Sequence, residues 1–212
     1  GLEQYVGYKG PGFVEHDLRE KAATAGIELP PFQTEFLESK NWLKENVIKF
    51  APVEVEDFII YGIHEKDIPP SDKVTLRIYA ATAFGSEHQT TKSCLRAISH
   101  LNRLGAAHRN ILDMGTGSGI LALAAAKLWP DAARITAVDI DPEAVAVTRQ
   151  NARDNHLEKY LTVAVSNGYN SDLVRNNAPY DIIIANILAR PLIEMAPQLN
   201  QALAPGGFCI LS

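Results

Sequence analysis

The chain is 212 residues long, 46% hydrophobic and 21% charged, and its 25 acids outweigh 20 Lys plus Arg to leave a net charge of −5. That length accommodates one sizeable core with a smaller appendage, which excludes two full enzymes in tandem. Acids and bases are mixed, no Lys/Arg run suits a phosphate backbone, no apolar run approaches a membrane span, and no basic-then-apolar leader opens the chain. The expectations are therefore no direct nucleic-acid partner, no membrane and a cytoplasmic setting.

In chain order, residues 1–40 read as a small α/β piece. Gly7, Gly10, Pro11 and Gly12 make its start turn-rich, a helix is predicted over 14–25 with Gly26 as its stop, and Pro30-Pro31 leads into 32–37, whose apolar positions suit strand and helix equally. A linker segment over 41–82 holds a short helix at 41–47 and strands at 58–61 and 74–80, the second alternating as a half-buried strand does. Beyond a loop with Phe84, Gly85 and His88, a helix over 90–104 places Cys94, Ile98 and Leu101 on one face.

From residue 110 onward strands and helices alternate, with strands predicted at 110–114, 134–139, 161–165, 180–187 and 207–212. Asp141, Pro142 and Glu143 supply an N-cap, a first-turn proline and a first-turn acid for a helix reaching Asn155. Pro205-Gly206-Gly207 reads as the stop of the last helix. The expected fold over 83–212 is α/β, a doubly wound, mostly parallel sheet cut inside its fifth strand, which leaves an uncovered edge. Gly1 in place of Met points to a fragment or a processed chain. Cys94 and Cys209 lie far apart among apolar neighbours and are expected to be reduced core residues, and the histidines have no metal-ligand spacing.

The run 110–119 carries the chemistry: an apolar strand, Asp113, then Gly115, Gly117 and Gly119 ahead of a small-residue apolar helix. Such a turn lets the backbone wrap an adenosine-bearing ligand, and Asp139, 20 residues past Gly119, ends the next strand where an acid accepts hydrogen bonds from ribose hydroxyls. The glycine spacing is not the G-x-G-x-x-G of a dinucleotide site, and Asp113 directly before it is read as repelling a pyrophosphate while favouring a ligand with an ammonium and a sulfonium. S-adenosylmethionine is such a ligand, whereas an NAD-dependent dehydrogenase is disfavoured. Asn186 follows an apolar run fit for a central strand, at the end where open α/β sheets bind ligands; the simpler reading is a turn asparagine. His88 reads as a base or substrate contact, or simply as a surface loop histidine.

Asp113-Met114-Gly115-Thr116-Gly117-Ser118-Gly119, Val138-Asp139, Tyr180-Asp181-Ile182-Ile183-Ile184-Ala185-Asn186 and Leu203-Ala204-Pro205-Gly206-Gly207 together resemble the class I S-adenosylmethionine-dependent methyltransferases. A narrower match, carried by Asn186-Ile187-Leu188-Ala189-Arg190-Pro191-Leu192, Ala83-Phe84-Gly85 with Thr90-Thr91, and Asn41-Trp42-Leu43, is similar to the ribosomal protein L11 methyltransferase family, PrmA. The resemblance implies that residues 1–40 are part of a ferredoxin-like domain recognising ribosomal protein L11. It also implies a catalytic domain that trimethylates amino groups on that protein, and cofactor contacts at Thr91, Gly115, Asp139 and Asn186. In that reading Thr91 closes over the cofactor, Phe84 covers it or packs in the core, and Asn186 orients the acceptor amine. The loop 85–89 is one residue shorter than the family pattern and lacks its second glycine. Two other readings keep the fold: a different protein or small-molecule acceptor, or a binding module without catalysis.

Overall fold

The computed structural model describes residues 15–28, 50–79, 89–105, 109–131 and 134–212. The expectations over 32–37 and 41–47, together with Phe84 and His88, lie outside the described residues. The chain divides into two compact units, Gly1–Lys40 and Asn41–Ser212. In the first, α1 (Glu15–Thr24) closes on Gly26 through Gly26 N–H to Ala23 O and Ile27 N–H to Ala22 O, the paired bonds of a Schellman stop.

The second unit opens with a three-stranded sheet of β1 (Val53–Val55), β2 (Phe58–Gly62) and β3 (Val74–Ile78), in that order. β1 and β2 form an antiparallel hairpin, while β2 and β3 run parallel. The Arg77 guanidinium bonds the carbonyls of Ile63 and Glu65, which holds the crossover loop against β3. Then comes α2 (Gln89–Arg103), which buries Cys94, Leu95, Ile98 and Leu101 as its 3.6-residue period requires.

The larger sheet is built from β4 (Asn110–Met114), β5 (Arg134–Asp139), β6 (Leu161–Val165), β7 (Tyr180–Ala185) and β8 (Leu203–Leu211). Its order is β6-β5-β4-β7-β8, every neighbouring pair parallel. The helices between are α3 (Ile120–Leu128), α4 (Pro142–Asp154), α5 (Asp172–Asn177), α6 (Ala189–Glu194) and α7 (Ala196–Ala202). Strand alternation sends Ile111, Ile182 and Ile184 into one core with α2, α3 and the small sheet, and Leu112, Ile183 and Ala185 into the other with Val174 and Ala202. Since the chain moves outward from β4 in both directions, the switch point lies at the carboxyl end of β4, where sheets of this kind bind ligands.

Three local differences from expectation have physical causes. Val53-Glu54-Val55 is too short to signal a strand and exists through pairing with Phe58-Ile59-Ile60. β8 starts at Leu203 because Leu203 pairs with Tyr180, and a register shift then carries the chain through Pro205-Gly206-Gly207, which is not the helix stop that its composition suggests. Cys209 is exposed, whereas Cys94 is buried with its thiol pushed up to about 11, burial first and the Asp113 charge second. Among the described residues no helix is long and apolar enough to cross a membrane.

Tyr180 has no exposed surface, and its hydroxyl donates to the Val174 carbonyl at 2.8 Å. Tyr180→Phe should cost about 1 to 2 kcal/mol by removing that buried hydrogen bond. The change reads out as a lower urea midpoint at unchanged slope.

Candidate active site

The glycine turn after β4 is clamped to the next strand. Gly115 and Thr116 both donate their amides to the Val138 carbonyl, at 2.8 and 2.9 Å. The Gly117 amide donates to Asp139 Oδ2 at 2.9 Å, and the Asp141 amide donates to Asp139 Oδ1 at 3.0 Å. At Gly115, φ is +73° and an added Cβ would stand 2.2 Å from Ile187 Cγ2, so backbone and side chain meet with no room for an intervening methyl. At Gly117, φ is +55° and nothing lies within 4 Å of the Cβ position.

That free space opens on a cleft of about 1030 Å³ across the strand tips. Of the sequence candidates, Thr91, Gly115, Gly117, Asp139 and Asn186 line it together. Thr91 and Asn186, 95 residues apart, are joined directly: Asn186 Nδ2 donates to Thr91 Oγ1 at 3.1 Å. That bond uses one of the two Nδ2 hydrogens and leaves Oδ1 as an acceptor.

Asp113 and Gly119 are not on the cleft wall. Gly119 is the N-cap of α3, has no side chain to cap with, and starts a helix whose first turn holds no acid. Asp113 does that work from inside the sheet. At 1% exposure its Oδ2 accepts from Thr116 Oγ1 at 2.6 Å and from the Ala122 amide, in the first turn of α3, at 3.2 Å. The acid thus braces the turn from inside the sheet and does not itself line the cleft. Burial pushes its pKa up to about 6 against the lowering effect of those two hydrogen bonds, with a smaller upward push from Asp139.

Several cleft residues escaped the sequence reading. Ile140, immediately after Asp139, is 65% exposed and lines the cleft beside the acid. Its signal was an apolar residue stranded between two acids in Asp139-Ile140-Asp141-Pro142. Ser166 and Asn167 contribute from the tip of β6, and Leu188, Pro191 and Met195 from the chain after β7. Four acids line the cleft, Asp139, Asp141, Glu143 and Glu194, and among the described residues no Lys, Arg or His does.

A base-free, acid-lined cleft rejects a pyrophosphate and suits a cation. S-adenosylmethionine, a sulfonium carrying a ribose, fits these residues. Each Asp139 oxygen spends one lone pair on a backbone amide and keeps another for a hydroxyl, and the glycine turn presents bare backbone to the ligand. A doubly wound sheet with this turn and acid at its switch point defines a class I S-adenosylmethionine-dependent methyltransferase.

Comparison with known proteins narrows the class. The family model described as ribosomal protein L11 methyltransferase (PrmA) matches residues 14–212. Ribosomal protein L11 methyltransferases of Rhizobium meliloti (strain 1021) and Agrobacterium fabrum are 44% and 40% identical over 202 and 204 residues, each alignment covering 93% of this chain and 68% of the relative. The crystal structure of a ribosomal protein L11 methylase from Lactobacillus delbrueckii subsp. bulgaricus superposes with a TM-score of 0.61 at 31% identity, covering 76% of this chain and 78% of that one. The chain belongs to the ribosomal protein L11 methyltransferase family, whose cofactor is S-adenosylmethionine.

Two outcomes follow from the turn. Gly117→Val places a β-branched residue at positive φ, a strain of about 1 to 3 kcal/mol, and projects it into the cleft; the protein should stay folded and lose S-adenosylmethionine binding by calorimetry, and parental affinity would make the turn a mere bend. Asp113 holds its proton more tightly folded than unfolded, so the stability it contributes is fully present below the unfolded pKa near 4 and is lost as pH rises through about 6. The melting temperature of Asp113→Asn should therefore gain on the parent's as pH is raised from 4 to 7, and two parallel pH profiles would contradict the shift.

Proposed function

We propose that this chain transfers methyl groups from S-adenosylmethionine to amino groups of ribosomal protein L11. The observation that carries the amine reading is the acid-lined cleft with Asn186 fixed in it by Thr91. The names of the relatives, ribosomal protein L11 methyltransferases, support the choice of acceptor protein.

When bound, S-adenosylmethionine supplies a methyl activated on a sulfonium. The chain's task is to hold an amine in line with it and unprotonated. Asp141 and Glu143, both exposed, draw an ammonium toward the cleft, whereas Glu194 is already paired with Arg190 at 2.9 Å. A lysine ammonium has a reference pKa of about 10.4, and contact with Leu188, Pro191 and Met195 disfavours its charged form by excluding water. Asn186 Oδ1 accepts one amine N–H, which leaves the nitrogen lone pair free to point elsewhere, toward the methyl. Asp139 binds the ribose and Gly115 and Gly117 the methionine end, while Asp113 acts only through the turn that it braces. On the sequence and the resemblance alone, Phe84 is assigned to the cofactor or to the core, and His88 to the acceptor.

Residues 1–40 belong, in this reading, to the surface that recognises L11. The partner is the ribosomal protein itself rather than nucleic acid, met in the cytoplasm. The test is methyl transfer from labelled S-adenosylmethionine to purified ribosomal protein L11, bulk ribosomal RNA and a metabolite extract, offered separately. Label should appear on lysine or N-terminal amines of the protein alone. Labelled RNA or metabolites with the protein untouched would remove the acceptor and leave the fold and cofactor standing.

A further inference from the structure

The inner face of α4 carries Thr148 and Asn151, and Asn155 stands at its C-cap, all three buried. Asn151 and Asn155 are one helical turn apart, about 6 Å, close to the roughly 6.6 Å between alternate residues of a strand. Both asparagines use that match on the unpaired edge of β3 and the residue after it. Asn155 Oδ1 accepts from the Arg77 amide at 2.9 Å while its Nδ2 donates to the Arg77 carbonyl at 2.7 Å. Asn151 repeats the pattern on Tyr79, accepting at 2.7 Å and donating at 3.3 Å. Two side-chain amides thus take the place of a neighbouring strand.

Asn155 Nδ2 makes its second bond within the helix, to the Asn151 carbonyl at 2.8 Å, whereas the second bond of Asn151 leaves the helix for the glycine turn. Asn151 Nδ2 also donates to the Ser118 carbonyl at 2.8 Å, and one turn back Thr148 Oγ1 donates to the Gly117 carbonyl at 2.9 Å. Consecutive carbonyls of the glycine turn are therefore held from α4, while the Gly117 amide is held from Asp139. The same Asn151 amide ties that turn to Tyr79, which lines the cleft. Neither Thr148 nor Asn151 lines the cleft itself.

We propose that Asn151, seconded by Thr148, is a positioning residue for the cofactor: it sets the orientation of the Gly117 and Ser118 peptides against the Tyr79 wall and so determines affinity for S-adenosylmethionine, whereas Asn155 performs the same job on β3 for stability alone. The inference rests on the cofactor's place in the cleft. A role confined to packing would make the two asparagines equivalent, because each satisfies the same pair of backbone groups on one edge.

The experiment compares Asn151→Leu, Asn155→Leu and Thr148→Val in the full chain, with S-adenosylmethionine titrated calorimetrically and each constant referred to the folded fraction. Asn151→Leu and Asn155→Leu should lower the melting temperature alike. Asn151→Leu and Thr148→Val should raise the dissociation constant roughly three- to tenfold, the worth of one net hydrogen bond, and Asn155→Leu should leave it within twofold. In turnover the first two should raise KM for S-adenosylmethionine and keep kcat at saturation. Equal changes in affinity across the three variants, or none in any, would overturn the assignment. Should Asn151→Leu fail to fold, Thr148→Val against Asn155→Leu decides by the same criterion. A parent chain that binds no S-adenosylmethionine would overturn the cofactor reading and this one with it, whereas a binding parent with three indistinguishable variants overturns this one alone.

Discussion

The buried carboxylate of Asp113 joins three parts that would otherwise be independent: the end of β4, the glycine turn and the first turn of α3. Its two hydrogen bonds, from Thr116 and the Ala122 amide, replace the capping side chain that Gly119 cannot offer. Burial of a carboxylate is costly unless the charge meets donors, and here the donors come from the glycine turn beside the cleft and from the first turn of α3. The strand therefore cannot shift along its neighbours without breaking the cap. Asp139, with the same chemical group, faces outward at the tip of β5 and holds the turn from the other side. Two acids 26 positions apart thus divide one task, one inside the core and one on the cleft wall.

The sequence made the sheet legible because its strands are short apolar runs bounded by turn residues, and strands of that kind are buried on both faces in parallel sheets. The starts of all five strands except β8, and the start of α4, agree with the expected positions. What escaped depends on partners distant in the chain. Leu203 is a strand residue only because Tyr180 lies beside it, and Val53 only because Ile60 does. Cys209 sits among apolar residues yet faces outward, since hydrophobic neighbours in sequence do not say which side of a strand is covered.

The site was legible in its cleft-lining residues and not in its supports. Glycines and an acid at a strand tip announce themselves by type and spacing, so Gly115, Gly117 and Asp139 were found on the cleft. Asp113 was legible by type and place, but its part in bracing the turn was not. The informative signal was the uncapped start of α3, which demands an acceptor from elsewhere. Asn151 and Asn155 carried a signal too, two amides four residues apart amid Ala152 and other buried positions of α4. Buried amides of that kind require backbone partners, but nothing local named the edge of β3 as the partner.

The cleft takes its lining from residues as far apart in the chain as Tyr79, Thr91, Gly115, Asp139, Ser166 and Asn186, brought together only when β6, β5, β4 and β7 are side by side. No single hairpin or helix of the unfolded chain carries a partial version of it. Ligand affinity accordingly belongs to the completed sheet, and by mass action the ligand's binding energy is added to the stability of the native state without subtraction for the unfolded one. At a hundred times its dissociation constant, a ligand in that position adds about 2.7 kcal/mol, a sizeable fraction of what holds an ordinary domain together. Cellular supply of the methyl donor thereby becomes a determinant of how long the folded chain survives proteolysis, quite apart from how fast it turns over.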